Sequence, residues 1–149
     1  MPGFFRSRSE EEITRASPEE NAQYYYERSI HFRGAQHFDL ALDSINIALG
    51  YDPTNILYIN FRGILNYTLG HHEEAIADFR QLVEEDHPMY IPTLYMRGFI
   101  HMNMRHNQEA YRDLMEVNRL DPAYLNVAEL VLELGEAITH QSKYSDNYK

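Results

Sequence analysis

The chain has 149 residues, enough for one compact domain that buries roughly two-thirds of its unfolded surface. A formal net charge of -10 argues against binding of a nucleic-acid backbone, which needs clustered Lys and Arg, and it favours a basic or neutral protein or peptide partner. With no cysteine, disulfides and thiolate metal sites are excluded; with no 18-residue apolar run and no signal-type apolar core, no membrane insertion and a cytoplasmic location are expected.

In chain order, residues 1–16 read as a flexible segment, or at most a short helix from Glu10 to Ala16. Phe4 and Phe5 stand out there, as part of a disordered tag or as anchors for a groove. Ser17-Pro18-Glu19-Glu20 is a helix start: a hydroxyl cap, Pro in the first turn, and Glu three residues after the cap. A helix is predicted over 18–33, with Tyr25, Ser29 and Phe32 on one face and a turn at Gly34 and Gln36. The next, over 37–49, carries Phe38, Ala41, Leu42, Ile45, Ala48 and Leu49 at helical period and stops at Gly50-Tyr51-Asp52-Pro53. A third helix carries Ile59, Gly63 and Tyr67 and closes at Gly70; a fourth carries Ala75, Ile76, Phe79, Leu82 and Val83, stopped by Asp86-His87-Pro88. Leu94, Gly98 and His101 or Met102 mark a fifth from Pro92; after a turn near Asn107, Ala110, Leu114 and Val117 mark a sixth, ending at Leu120-Asp121-Pro122. A seventh, over 122–140, has Asp121 as its expected cap, and residues 141–149 read as a flexible tail.

The pattern repeats. Arg62-Gly63 recurs as Arg97-Gly98 and, in the other direction, as Arg28-Ser29; Ala75 recurs as Ala110 and Ala41, and Asp78 as Asp113. Self-similarity at about 35 residues marks a repeat array. These residues resemble the tetratricopeptide repeat (TPR): a large residue, a small one after it, then Ala, a bulky apolar residue and Pro. The resemblance covers about residues 18–140, as repeats over 18–53, 54–88 and 91–122 with a capping helix over 122–140. It implies an all-α fold of antiparallel helix pairs wound into a right-handed superhelix. Where the family usually has Leu before Gly, this chain has Arg28, Arg62 and Arg97, each followed 15 or 16 residues later by Asp43, Asp78 or Asp113. Three ion pairs bridging the helices of each repeat are expected, with phosphate or carboxylate binding by the arginines as the alternative.

In the family, the first helix of each repeat lines a concave face that holds a peptide or helix. By resemblance this face comprises Tyr26, Ile30 and Arg33; Leu57, Asn60, Ile64 and Tyr67; Tyr95, Phe99, Met102 and Asn103. The Lys/Asn/Arg clamp with which some TPR domains grip acidic chaperone tails is absent from those positions. An apolar, Tyr-rich groove suits an apolar peptide or helix. The reading is therefore a non-enzymatic interaction module, an adaptor or chaperone-like binder. The outline also resembles the three-repeat chaperones of type III secretion translocators. A third reading is a self-assembling subunit or homodimer formed through the seventh helix, which is apolar on more than one face (Leu125, Val127, Leu130, Val131, Leu132, Leu134 and Ile138). No catalytic, cofactor or metal site is expected: the eight histidines lack helical ligand spacing, no phosphate loop or nucleophile elbow occurs, and Glu84-Glu85-Asp86 reads as a solvated helix end. Asn66-Tyr67-Thr68 matches the glycosylation pattern but falls inside a predicted helix.

Overall fold

The computed structural model describes residues 5–83 and 88–146, and the side chains up to residue 141. Eight α-helices and no strand occur among them: α1 (Glu10–Arg15), α2 (Pro18–Gly34), α3 (Phe38–Tyr51), α4 (Ile56–Thr68), α5 (His72–Arg80), α6 (Tyr90–Asn103), α7 (Asn107–Leu120) and α8 (Val127–Asp146). They fall into two compact units, residues 1–78 and 79–149.

In the first unit both early helices start by the same device. The Ser9 and Ser17 hydroxyls accept the amide hydrogens of Glu12 and Glu20, and the two carboxylates accept the serine amides in return. The segment expected to be flexible thus contains α1 and packs back on α2. Arg8 donates its amide to the Tyr24 hydroxyl at 2.9 Å and lays its guanidinium over that ring, and Phe5 packs against Tyr24 and His31. Polar composition hid this because the anchors are single long side chains rather than an apolar stripe. Helices α2 and α3 pair closely around Ala22, Ala41, Ile45 and Ala48. Ser29, at the small position of its repeat, is fully buried and donates its hydroxyl to the Ala41 carbonyl at 2.6 Å.

In the second unit α6, α7 and α8 enclose Leu94, Ala110, Leu114, Val117, Val127, Leu130 and Leu134. Gly98 is the small residue there. A Cβ on it would lie 2.8 Å from Leu114 Cγ and 3.2 Å from Asp113 Cβ, so only hydrogen lets α6 and α7 approach this closely.

Three turns share one bonding pattern. The amides of Gln36, Gly70 and Arg105 bond to the carbonyls of Arg33, Tyr67 and Met102, and the next amides (His37, His71, His106) bond to those of Phe32, Asn66 and His101. Each turn puts one residue in the left-handed region: Gln36 (φ 62°), Gly70 (φ 81°) and Arg105 (φ 60°). Spacings of 34 and 35 residues repeat the period seen in the sequence. At the first turn the left-handed conformation falls on Gln36, while Gly34 remains the last residue of α2.

Two of the three expected ion pairs form. Arg62 donates Nε to both oxygens of Asp78 (3.1 and 3.0 Å) and Nη2 to Oδ1 (2.5 Å); Arg97 donates Nε and Nη2 to the two oxygens of Asp113, each at 2.6 Å. The third does not form among the described residues. Arg28 lies over the rings of Tyr25 and Phe32, and Asp43 is exposed. The working spacing is 16 residues, and 16 residues after Arg28 stands Ser44, buried and donating to the Leu40 carbonyl. Asp43, one residue earlier, is turned about 100° away on the helix.

Other boundaries shift. Helix α5 ends at Arg80, so Leu82 is buried from a turn in which its amide bonds to the Phe79 carbonyl. The seventh predicted helix starts at Val127 rather than 122 and runs on to Asp146, through most of the expected tail. Asp121 ends α7 and accepts the Ala123 amide, and Leu125 (φ 47°) turns the chain before α8. The expectations for Phe4, Glu84-Glu85-Asp86, the Asp86-His87 stop and the last three residues lie outside the described residues.

Candidate functional site

Helix periodicity places the expected groove residues in stripes. Tyr26, Ile30 and Arg33 follow one face of α2, and Leu57, Asn60, Ile64 and Tyr67 one face of α4. Between them lies an aromatic floor. The Tyr26 ring is 4.8 Å from Tyr58 and 5.5 Å, edge-on, from Phe61; the Arg33 guanidinium sits 4.7 Å over Phe61. Tyr58 and Phe61 are buried (5% and 7% exposed), and their rings fix the geometry of the stripe from below. Burial pushes the Tyr58 phenol above its ordinary range, with Asp52 adding to the shift, and its hydroxyl donates to Gln23 Oε1 at 3.4 Å. Above this floor Ile30 is 40% and Leu57 58% exposed. Asn60, Ile64 and Tyr67 are half-buried, and Tyr67 packs against the His72 ring.

In the second unit the stripe is more committed. Tyr95 stacks on Phe99 and meets Tyr124 edge-on at 5.4 Å, and its hydroxyl donates to Asn126 Oδ1 at 2.7 Å. Burial raises the Tyr95 phenol above its usual value. Met102 packs against the core of this unit, and Asn103 is exposed. The turn before α8 therefore holds Tyr95 in place, and Met102 serves the interior as well as the stripe. Sequence reasoning missed Tyr58, Phe61, Tyr124 and Asn126. The first two are legible from helical spacing, Phe61 lying three residues after Tyr58 and four after Leu57; the last two fall inside the helix expected over 122–140.

The arginines proposed as anion ligands are engaged: Arg62 also reaches Asn46 Oδ1, and Asn66 donates its amide to Asp78 Oδ2 at 3.1 Å. The same buried amide is the one the glycosylation pattern would need free. Among the described residues, no three His, Asp or Glu side chains stand close enough to hold a metal ion, and no helix is long and apolar enough to cross a membrane.

A tetratricopeptide repeat profile matches residues 58–86 and 91–124. A search among curated protein sequences finds no match. Solved structures are similar in fold. The first TPR of Spaghetti (RPAP3), bound to the HSP90 peptide SRMEEVD, is 19% identical with a TM-score of 0.69, over 81% of this chain and 95% of that one. The second TPR domain of human RPAP3, in complex with the HSP70 peptide SGPTIEEVD, is 20% identical with a TM-score of 0.67, over 80% and 98%. The Sgt2 TPR domain from Aspergillus fumigatus is 16% identical with a TM-score of 0.67, over 85% of each chain. The repeated turns, the small residues at the helix crossings and these matches lead to one conclusion: the chain carries tetratricopeptide repeats and has the TPR fold.

Proposed function

We propose that this chain is a non-enzymatic protein-interaction module, adaptor or chaperone-like, that receives an apolar peptide or helix on the α2 and α4 stripe of the first unit; Tyr95, Phe99, Met102 and Asn103 of α6 form the corresponding candidate surface of the second unit. One observation carries the reading. Exposed Ile30 and Leu57 each stand one helical turn from a ring of the packed Tyr26–Tyr58–Phe61 floor, which offers apolar contact at low ordering cost. The family fold and its peptide-bound neighbours support a peptide ligand. The acidic peptides of those neighbours suit this chain poorly. It carries a net charge of -10, and Tyr26 with Ile30, Asn60 with Ile64, and Tyr95 with Phe99 stand where the family's clamp would be. The preferred ligand combines apolar residues with Lys or Arg, and a cytoplasmic location belongs to the same reading.

Selection from a random peptide library tests it. Apolar, basic peptides should be enriched by the wild type and lost with Ile30→Asp/Leu57→Asp. Enrichment of acidic tails ending in EEVD would overturn the ligand class. A second reading, self-association through α8, is favoured by Leu132 at 71% exposure. Solution mass by light scattering separates the two: a dimer that Leu132→Glu dissociates would support it, and a monomer would end it.

A further inference from the structure

A polar cleft of about 340 Å³ opens between α6 and α7, lined by none of the side chains of the proposed peptide surface. Its charges do not cancel. Both oxygens of Asp113 are taken by Arg97, so that pair is neutral within itself. Arg80 and Arg112 also line the cleft, are exposed, and have no ion-pair partner among the described residues. Glu109 is the one remaining carboxylate among the described lining residues, which leaves those residues an excess of one positive charge on a chain whose net charge is -10. Two imidazoles complete the wall, with the rings of His101 and His106 5.8 Å apart.

The preceding repeat is built differently at this position. Asn66, 35 residues before His101, donates to Asp78 Oδ2 and completes the ion pair of its repeat. His101 makes no such bond: its Nδ1 is enclosed and has no hydrogen-bond partner. The third repeat thus gives up a structural hydrogen bond at the position where it gains a basic, roomy cleft.

We propose that this cleft binds a small oxyanion of the phosphate class, held between the Arg80 and Arg112 guanidiniums with imidazole donors beside it. Guanidinium forks match phosphate oxygens in charge and in paired geometry, and a dianion answers two arginines that have no ion-pair partner among the described residues better than a monocarboxylate. The source is either free phosphate or the phosphoryl group of a larger ligand.

Titration of the full chain with inorganic phosphate at low ionic strength tests this, read by NMR of the imidazole and guanidinium signals. The expected result is saturable binding with shifts concentrated at Arg80, Arg112, His101 and His106. Arg112→Gln should weaken it about tenfold, and Arg80→Gln likewise. Arg15→Gln, whose side chain pairs with Glu11 in the other unit, should leave it unchanged. Tighter binding of phosphoserine would assign the site to a phosphorylated ligand, and equal binding to the free ion; either supports the proposal. Non-saturating shifts spread over all basic side chains, or affinities indifferent to Arg80→Gln and Arg112→Gln, would overturn it. Both arginines are exposed, so these variants should keep the fold.

Discussion

Asp78→Ala removes the one acceptor on which Arg62 and Asn66 converge. The carboxylate is 3% exposed and accepts from Arg62 Nε and Nη2 and from Asn66 Nδ2. The Arg62 side chain is 29% exposed and already touches Asn46, so it can turn toward water, and its share of the loss is about 1 kcal/mol. Asn66 has no such escape. At 6% exposure its stranded amide costs about 2 kcal/mol. The sum, about 3 kcal/mol, sits at the low end of what breaking a buried ion pair costs. With a urea m-value of about 2 kcal/mol/M for a domain of this size, the unfolding midpoint should fall by about 1.5 M. Urea denaturation followed by circular dichroism reads this directly. A double-mutant cycle with Arg62→Met should return a coupling of about 1 kcal/mol or more. A change below about 0.5 kcal/mol for Asp78→Ala would refute the claim that this network ties α4 to the end of the first unit.

Asp43→Asn should change stability by less than about 0.5 kcal/mol, because Asp43 is exposed and makes no ion pair with Arg28; a loss comparable to Asp78→Ala in urea would contradict the 16-residue register. Gln36→Gly and Arg105→Gly should each stabilise by about 1 kcal/mol, since both residues hold the left-handed conformation that Gly70 adopts freely; thermal melts that fall rather than rise would refute this. Burial lowers the His101 pKa below its ordinary 6.5, against a smaller raising effect of Asp113. The unfolded chain then binds the proton more readily, so this stability is complete above about pH 6.5 and is lost as pH falls toward the folded value. His101→Asn, the residue of the preceding repeat, should flatten that part of the pH–stability curve; an unchanged slope would remove His101 as its source.

The elements that sequence made legible share a local cause. Ser17-Pro18-Glu20 announced α2 because its capping groups are three residues apart, and Arg62–Asp78 and Arg97–Asp113 were legible because each spans a helix pair at constant register. What escaped depends on distant or rotational detail. Arg28 and Asp43 looked like a third pair, but one residue of slip moves the acid off the facing side. Asp121-Pro122 predicts a helix start, because Asp-Pro commonly opens a helix; in the structure Asp121 caps a turn instead, and Leu125 takes a left-handed backbone before α8 begins. The docking of Phe5 and Arg8 on Tyr24 leaves no periodic trace in a polar segment. The candidate surface was legible as a stripe. Its aromatic floor and the capture of Tyr95 by Tyr124 and Asn126 needed coordinates, because neighbouring helices supply the rings.

The central claim is that a peptide binds the α2 and α4 stripe, and a fluorescence-anisotropy titration of a selected apolar, basic peptide tests it most directly. Wild type and Ile30→Asp/Leu57→Asp would be compared at matched urea midpoints, which exposure of both side chains should preserve. Affinity at least about tenfold weaker in the variant is the predicted result, as expected for the loss of two anchor contacts. Equal affinity in both, with both proteins folded, would contradict it and place the binding surface elsewhere on the molecule.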